Sequence, residues 1–136
     1  MHKINKAILF ASALVVTTVS VASDLSDAIQ KDYSNYLVRL WERFHQNPEL
    51  SLMETKTAKR LATELSAAGT EVTENVGGTG IVAIIKNGEG TTLMVQADMD
   101  GLPVREQSGL PDTSQVTMQD WDGDLVSVMH ACGHDV

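Results

Sequence analysis

Near the end of this 136-residue chain, His130-Ala131-Cys132-Gly133-His134-Asp135 packs one thiol, two imidazoles and one carboxylate into six positions. On an extended backbone Cys132 and His134, two apart, point to the same side, and Gly133 permits the bend that would bring both onto one ion. A thiolate sulfur at about 2.3 Å and an imidazole nitrogen at about 2.0–2.1 Å suit zinc, and other first-row divalent ions also accept such donors. Asp135 or His130 could orient a ligand from behind. Two ligands do not close a site, and the plainer alternative is a loop in which one histidine packs and the cysteine is simply buried. Cys132 is the single cysteine, so it has no disulfide partner within the chain.

A second cluster is Asp98-Met99-Asp100, placed where the apolar run Thr91–Ala97 ends. Ligands of open α/β sheets collect at the carboxyl ends of strands, where two carboxylates could bind a cation or fix a histidine. Read alone, Asp-x-Asp-Gly is also the pattern of an ordinary turn. Gly77-Gly78-Thr79-Gly80 lacks the lysine and the following helix of a phosphate loop and reads as a tight turn. His45, Pro48 and Glu49 follow the first helix, where a surface connection is the default expectation, and Trp41 and Phe44 read as core.

These residues need positioning elements. Apolar residues at three- and four-residue spacing (Leu25, Ile29, Tyr33, Tyr36, Leu37, Leu40, Trp41 and Phe44) predict a helix capped by Ser23 or Asp24 and stopped by Pro48. A second helix is expected from Ser51, with Ser51 and Glu54 as a reciprocal capping box, a stripe of Ala58, Leu61, Leu65 and Ala68, and Gly69 as left-handed terminator. The period then changes. Glu71–Val76 reads as a short strand, Ile81–Ile85 as a strand buried on both faces, and Thr91–Ala97 as another, with a turn at Asn87-Gly88-Glu89-Gly90. Thr113 to Met129 suggests a hairpin turning at Asp122-Gly123. The expected fold class is α/β, helices packed on a mixed sheet, in a domain left incomplete at Val136.

The opening stretch, residues 1–22, reads as a signal peptide: Lys3 and Lys6, an apolar run from Ala7 to Val21, then Ser20-Val21-Ala22. Its apolar run is shorter than the roughly 20 residues that cross a bilayer. Export to the periplasm or medium is the expectation, with no membrane attachment after cleavage. Residues 23–136 then form the remaining domain. The whole chain has net charge −8. Because residues 1–22 carry Lys3, Lys6 and no acid, cleavage leaves 8 basic against 18 acidic residues, a net −10. Such a balance disfavours nucleic acid, whose phosphates it repels.

Four blocks stand in order: Arg43-Phe44-His45-Gln46-Asn47-Pro48-Glu49-Leu50-Ser51 with Glu54; Val76 to Ala83; Ala97 to Val104; and Met129 to Asp135. Together they resemble the metal-dependent amidohydrolases that include hippurate hydrolase, N-acyl-amino-acid deacylases and auxin-conjugate hydrolases, within the aminoacylase and carboxypeptidase group. The resemblance spans nearly all of residues 23–136. It implies the N-terminal part of a three-layer zinc-peptidase-like catalytic domain, interrupted in the family by a smaller dimerisation domain. It implies two divalent metal ions (zinc, manganese, cobalt or nickel) and N-acyl amino acids or peptide-like amides as substrates, with a homodimer as the full-length form. By position Cys132 and His134 match the family's first two ligands and Asp100 its supporting carboxylate. Asp98 stands where many of the wider group carry a ligating histidine. The metals would acidify a bridging water and polarise the amide carbonyl, while a downstream glutamate, absent here, moves the proton. A non-catalytic fragment with partial metal binding is the alternative expectation. A redox role for Cys132 is weaker, as no resolving cysteine exists.

Overall fold

The computed structural model describes the backbone of residues 17–133 and the side chains of residues 23–133. Most of the expected signal peptide, residues 1–16, lies outside the described residues, as do His134, Asp135 and Val136. The chain divides into two compact units, Met1–Arg39 and Leu40–Val136.

In the first unit, helix α1 spans Thr17–Asp32 and a π-helical turn follows at Tyr33–Leu37. Ser23 and Asp24 lie inside α1, so neither is its cap. The apolar stripe is present but uncovered: Leu25, Ile29, Tyr33, Tyr36 and Leu37 are all exposed. Periodicity predicts the helix correctly; burial needs a facing surface, which the described residues of this unit do not provide.

Helix α2, Val38–Gln46, runs into the second unit and ends before Pro48. Asn47 closes it, its amide donating to Phe44 O at 3.0 Å and its side-chain amide to Arg43 O at 2.8 Å. Trp41 is 37% exposed and Phe44 half-buried, so neither is core as expected.

Helix α3 is Thr55–Ala67, four residues shorter at its start than the sequence predicts. Leu52 takes a left-handed φ of 60°, which turns the chain before the helix can begin. Glu54 does fold back, but to the amide of Leu52 at 2.9 Å, and the Ser51 capping box does not form. Its end follows expectation. Gly69 has φ 85°; its amide donates to Ser66 O at 3.0 Å and that of Thr70 to Leu65 O at 3.2 Å. This is the paired terminator that glycine permits without a Cβ penalty. Thr57, Ala58 and Ala62 form the buried stripe, whereas Ala68 is exposed.

Strands β1 (Glu71–Val76) and β2 (Gly80–Ile84) pair antiparallel across the Gly77-Gly78-Thr79 turn, with Val72 opposite Ala83, and α3 packs on both. β2 is not buried on both faces: Val82, Ile84 and the following Ile85 are exposed. The predicted strand Thr91–Ala97 is absent as a strand. Its residues are unpaired and exposed, Leu93 by 85% and Val95 by 87%. A β-run becomes a strand only when a neighbour lies about 4.8 Å away to take its hydrogen bonds, and none does so among the described residues. Strands β3 (Thr117–Gln119) and β4 (Leu125–Ser127) form the expected hairpin. Asp120 Oδ1 accepts from the amides of Asp122 and Asp124 at 3.0 and 2.9 Å and thereby shapes its turn. The α/β class holds, with the strands in two antiparallel pairs. The core is small and mixed: Pro48, Leu50, Ala58, Ala62 and Val128 beside buried Glu49, Glu54, Thr57, Glu106, Ser114 and His130.

Candidate functional site

Two single bridges hold the two predicted clusters side by side. Leu50 pairs parallel with Gly101, whose amide donates to Glu49 O at 2.7 Å. Leu102 pairs antiparallel with Met129, through N–O distances of 2.8 and 3.1 Å. The Asp98-Met99-Asp100 loop therefore lies beside the segment that leads into His130 and Cys132. Gly101 is required at the crossing: a Cβ there would stand 2.8 Å from Val128 Cγ1 and 2.9 Å from Pro48 Cβ. Both are well inside van der Waals contact.

The predicted site residues have different fates. His130 is buried and Asp98 is exposed; both line the same cavity. Asp100 is half-buried. Cys132 is an exposed free thiol, followed by the predicted bend, with Gly133 at φ 70°. His134 and Asp135 lie outside the described residues. Among the described residues, no three His, Cys, Asp or Glu side chains converge as a metal cluster would require.

The cavity, of about 660 Å³, is open to solvent and lined by residues of the second unit. Its walls are mostly apolar, with Phe44, Leu61, Ile81 and Met99 among them, and His45 joins Asp98 and His130 as an ionisable group on its lining.

Sequence reading missed a network behind that cavity. Far from lying on a surface connection, Pro48 is fully buried and Glu49 and the His45 side chain nearly so. His45 Nε2 stands 3.1 Å from Glu106 Oε1 across 61 residues of sequence, with the two side chains 12% and 2% exposed. The imidazole stacks on Trp41 at a centroid distance of 5.2 Å and an angle of 16°. Burial alone would raise the Glu106 carboxyl. The Ser108 hydroxyl, the Ser114 amide at 2.6 Å, and the hydrogen bond and charge of His45 outweigh it and hold the group below its ordinary value. No spacing rule singles out Glu106, because its cavity-side partner, His45, lies 61 residues away in the chain.

Glutamates also fix the scaffold beneath. Glu49 Oε2 accepts from the amides of Lys56 and Thr57 at 2.9 and 2.8 Å, so a carboxylate from outside the helix caps α3. Glu54 accepts from the Thr79 hydroxyl, which ties α3 to the β1–β2 turn. Ser114 Oγ donates to Val128 O at 2.7 Å and so anchors the residue two before His130.

No family model matches the chain. Curated relatives do. It is 39% identical over 100 residues to the putative amidohydrolase YhaA of Bacillus subtilis, covering 73% of this chain and 23% of that protein. It is 38% identical over 105 residues to the hippurate hydrolase of Campylobacter jejuni, covering 76% of this chain and 25% of that one. Among solved structures, the YXEP protein of Bacillus subtilis, described as a dinuclear metal binding peptidase from the M20 family, matches with a TM-score of 0.63 and 33% identity. That match covers 77% of this chain and 27% of the other. The chain thus spans about a quarter of the length of the relatives it matches. Identity of this order, sustained over three quarters of the chain in both sequence and fold, makes it a member of the metal-dependent M20 family of amidohydrolases and carboxypeptidases.

Proposed function

We propose that this chain forms part of a metal-dependent hydrolase that cleaves the amide bond of N-acyl amino acids or related peptide-like amides. The observation that carries the reading is the Leu102–Met129 bridge, which sets the Asp98-Met99-Asp100 loop alongside the approach to His130 and Cys132. The name of the Campylobacter relative, hippurate hydrolase, supports the substrate class.

The donors fit divalent ions in kind: a thiolate, imidazoles and carboxylates, a set that accepts zinc, manganese, cobalt or nickel. Cys132 and His134 would hold the metal, Asp100 would support the centre, and Asp98, His130 and Asp135 would orient the ligands. Bound divalent ions supply Lewis acidity toward an amide carbonyl and acidify a water. The apolar cavity walls would receive the acyl group. Lys3, Lys6 and Ser20-Val21-Ala22 support export, and the family resemblance supports a homodimer.

Titration of the full chain with Co²⁺ tests the centre. A sulfur-to-cobalt absorption band should appear, and C132S should remove it; a band that survives C132S would overturn the assignment. Hippurate added to the metal-loaded protein that contains this chain then tests the chemistry, and no release of glycine would overturn the substrate class.

A further inference from the structure

His45 occupies an unusual position: its ring lines the apolar cavity, while one nitrogen is held from behind by a carboxylate outside the cavity lining. We propose that His45 is a ligand-binding residue of this cavity and that Glu106 is the positioning residue that fixes which ring nitrogen is left for the ligand.

An ionised carboxylate only accepts hydrogen bonds. At 3.1 Å from Glu106 Oε1, His45 Nε2 must therefore carry the proton and donate it. When the ring is neutral that choice makes Nδ1 an acceptor, whereas in the charged ring, the form whose charge bears on Glu106, both nitrogens donate. Among the described residues Nδ1 has no hydrogen-bond partner: the contacts of His45 are the Glu106 pair and the Trp41 stack. The ring cannot easily rotate to exchange its nitrogens. Trp41 fixes its plane, and Glu106 is itself fixed by Ser108 and by Ser114 N at 2.6 Å. The cavity lining also carries Asp98 and His130, but His45 Nδ1 is an acceptor set among apolar walls, which suits a ligand with an apolar body and an N–H donor, the chemistry of a secondary amide. The inference rests on the amide-hydrolase reading for the ligand's class, but it requires neither metal nor turnover.

The test uses the full chain with ¹⁵N-labelled histidine, without metal, at a pH where the ¹⁵N shifts show the His45 ring neutral, and two probes. Acetanilide has an apolar ring and an amide N–H; N-methylacetanilide lacks the N–H. His45 should show its proton on Nε2, and acetanilide should bind roughly five- to tenfold more tightly than its methylated analogue, as loss of one hydrogen bond implies, while shifting Nδ1. In H45F, which keeps an aromatic ring against Trp41, the two probes should bind alike. In E106Q the side-chain amide can donate or accept, so His45 should lose its single tautomer. If E106Q does not fold, the wild-type tautomer and the probe ratio decide the matter. A proton on Nδ1 in the wild-type chain, or equal binding of the two probes, overturns the proposal. Failure of hippurate hydrolysis leaves this binding result untouched, so the two proposals fail separately.

Discussion

Thr57 delivers both its amide and its hydroxyl to a single oxygen of Glu49, at 2.8 and 2.9 Å. Glu49 precedes Thr57 by eight residues, so this is a cap supplied from outside the helix, with a full negative charge at the positive end of the α3 dipole. The same residue's carbonyl holds Gly101 at 2.7 Å. One glutamate thus joins the start of α3 to the loop that carries Asp98 and Asp100.

Removing that carboxylate should be costly. Glu49→Ala leaves the buried amide and hydroxyl of Thr57 and the part-buried amide of Lys56 without their acceptor, a loss of about 2 kcal/mol. Glu49→Gln keeps one accepting oxygen and should cost about half as much. Urea unfolding followed by far-ultraviolet circular dichroism measures both; equal stability of Glu49→Ala and the parent would show that the cap carries no weight.

Glu106 should make the fold acid-sensitive in a defined direction. Its carboxyl lies below its ordinary value of 4.5 in the folded chain, so the unfolded chain takes up the proton first as pH falls. The stabilisation is therefore fully present above about 4.5 and is lost as pH drops through the lower folded value. Glu106→Gln should be less stable at neutral pH and should show a shallower loss of stability below that point. Parallel urea midpoints for parent and variant across the acid range would reveal a common slope if the carboxyl were not responsible.

What the sequence makes legible follows from how local each signal is. Gly69, Pro48 and Asp122-Gly123 act within one or two turns of chain, and the terminator, the helix stop and the hairpin all form where they stand. The Ser51–Glu54 box is equally local but loses to a competitor from farther away, because Glu49 takes the helix amides and the left-handed Leu52 delays the helix. Thr91–Ala97 has every propensity of a strand and still needs a partner that propensity cannot supply. At the site, Cys132, Asp98 and His130 stand out by type. His45 and Glu106 do not, since their relation exists only after residues 61 apart have met.

Gly101 should be the most sensitive glycine. In Gly101→Ala the new methyl would meet Val128 Cγ1 at 2.8 Å, Pro48 Cβ at 2.9 Å and Met129 O at 3.2 Å, and two of these three are buried core atoms with little room to yield. A loss of about 1–3 kcal/mol is expected, together with weaker Co²⁺ binding, because both bridges that set the Asp98 loop pass through residues 101 and 102. Thermal melts and the cobalt titration measure the two effects, and unchanged values for both would mean that the crossing relaxes freely.

The exposed run at Leu93, Met94 and Val95 should govern self-association instead of stability. These side chains are at least 80% exposed and their extended backbone is unpaired, a combination that offers apolar surface and free hydrogen-bonding groups to a second copy. Leu93→Lys with Val95→Lys removes no packed contact, so stability should move by no more than about 0.5 kcal/mol. Placing two positive charges on the run should nevertheless suppress association by mutual repulsion between copies. Sedimentation velocity over a concentration series should show the parent associating and the variant remaining monomeric. A destabilisation beyond about 2 kcal/mol would instead mean that the run is packed in solution.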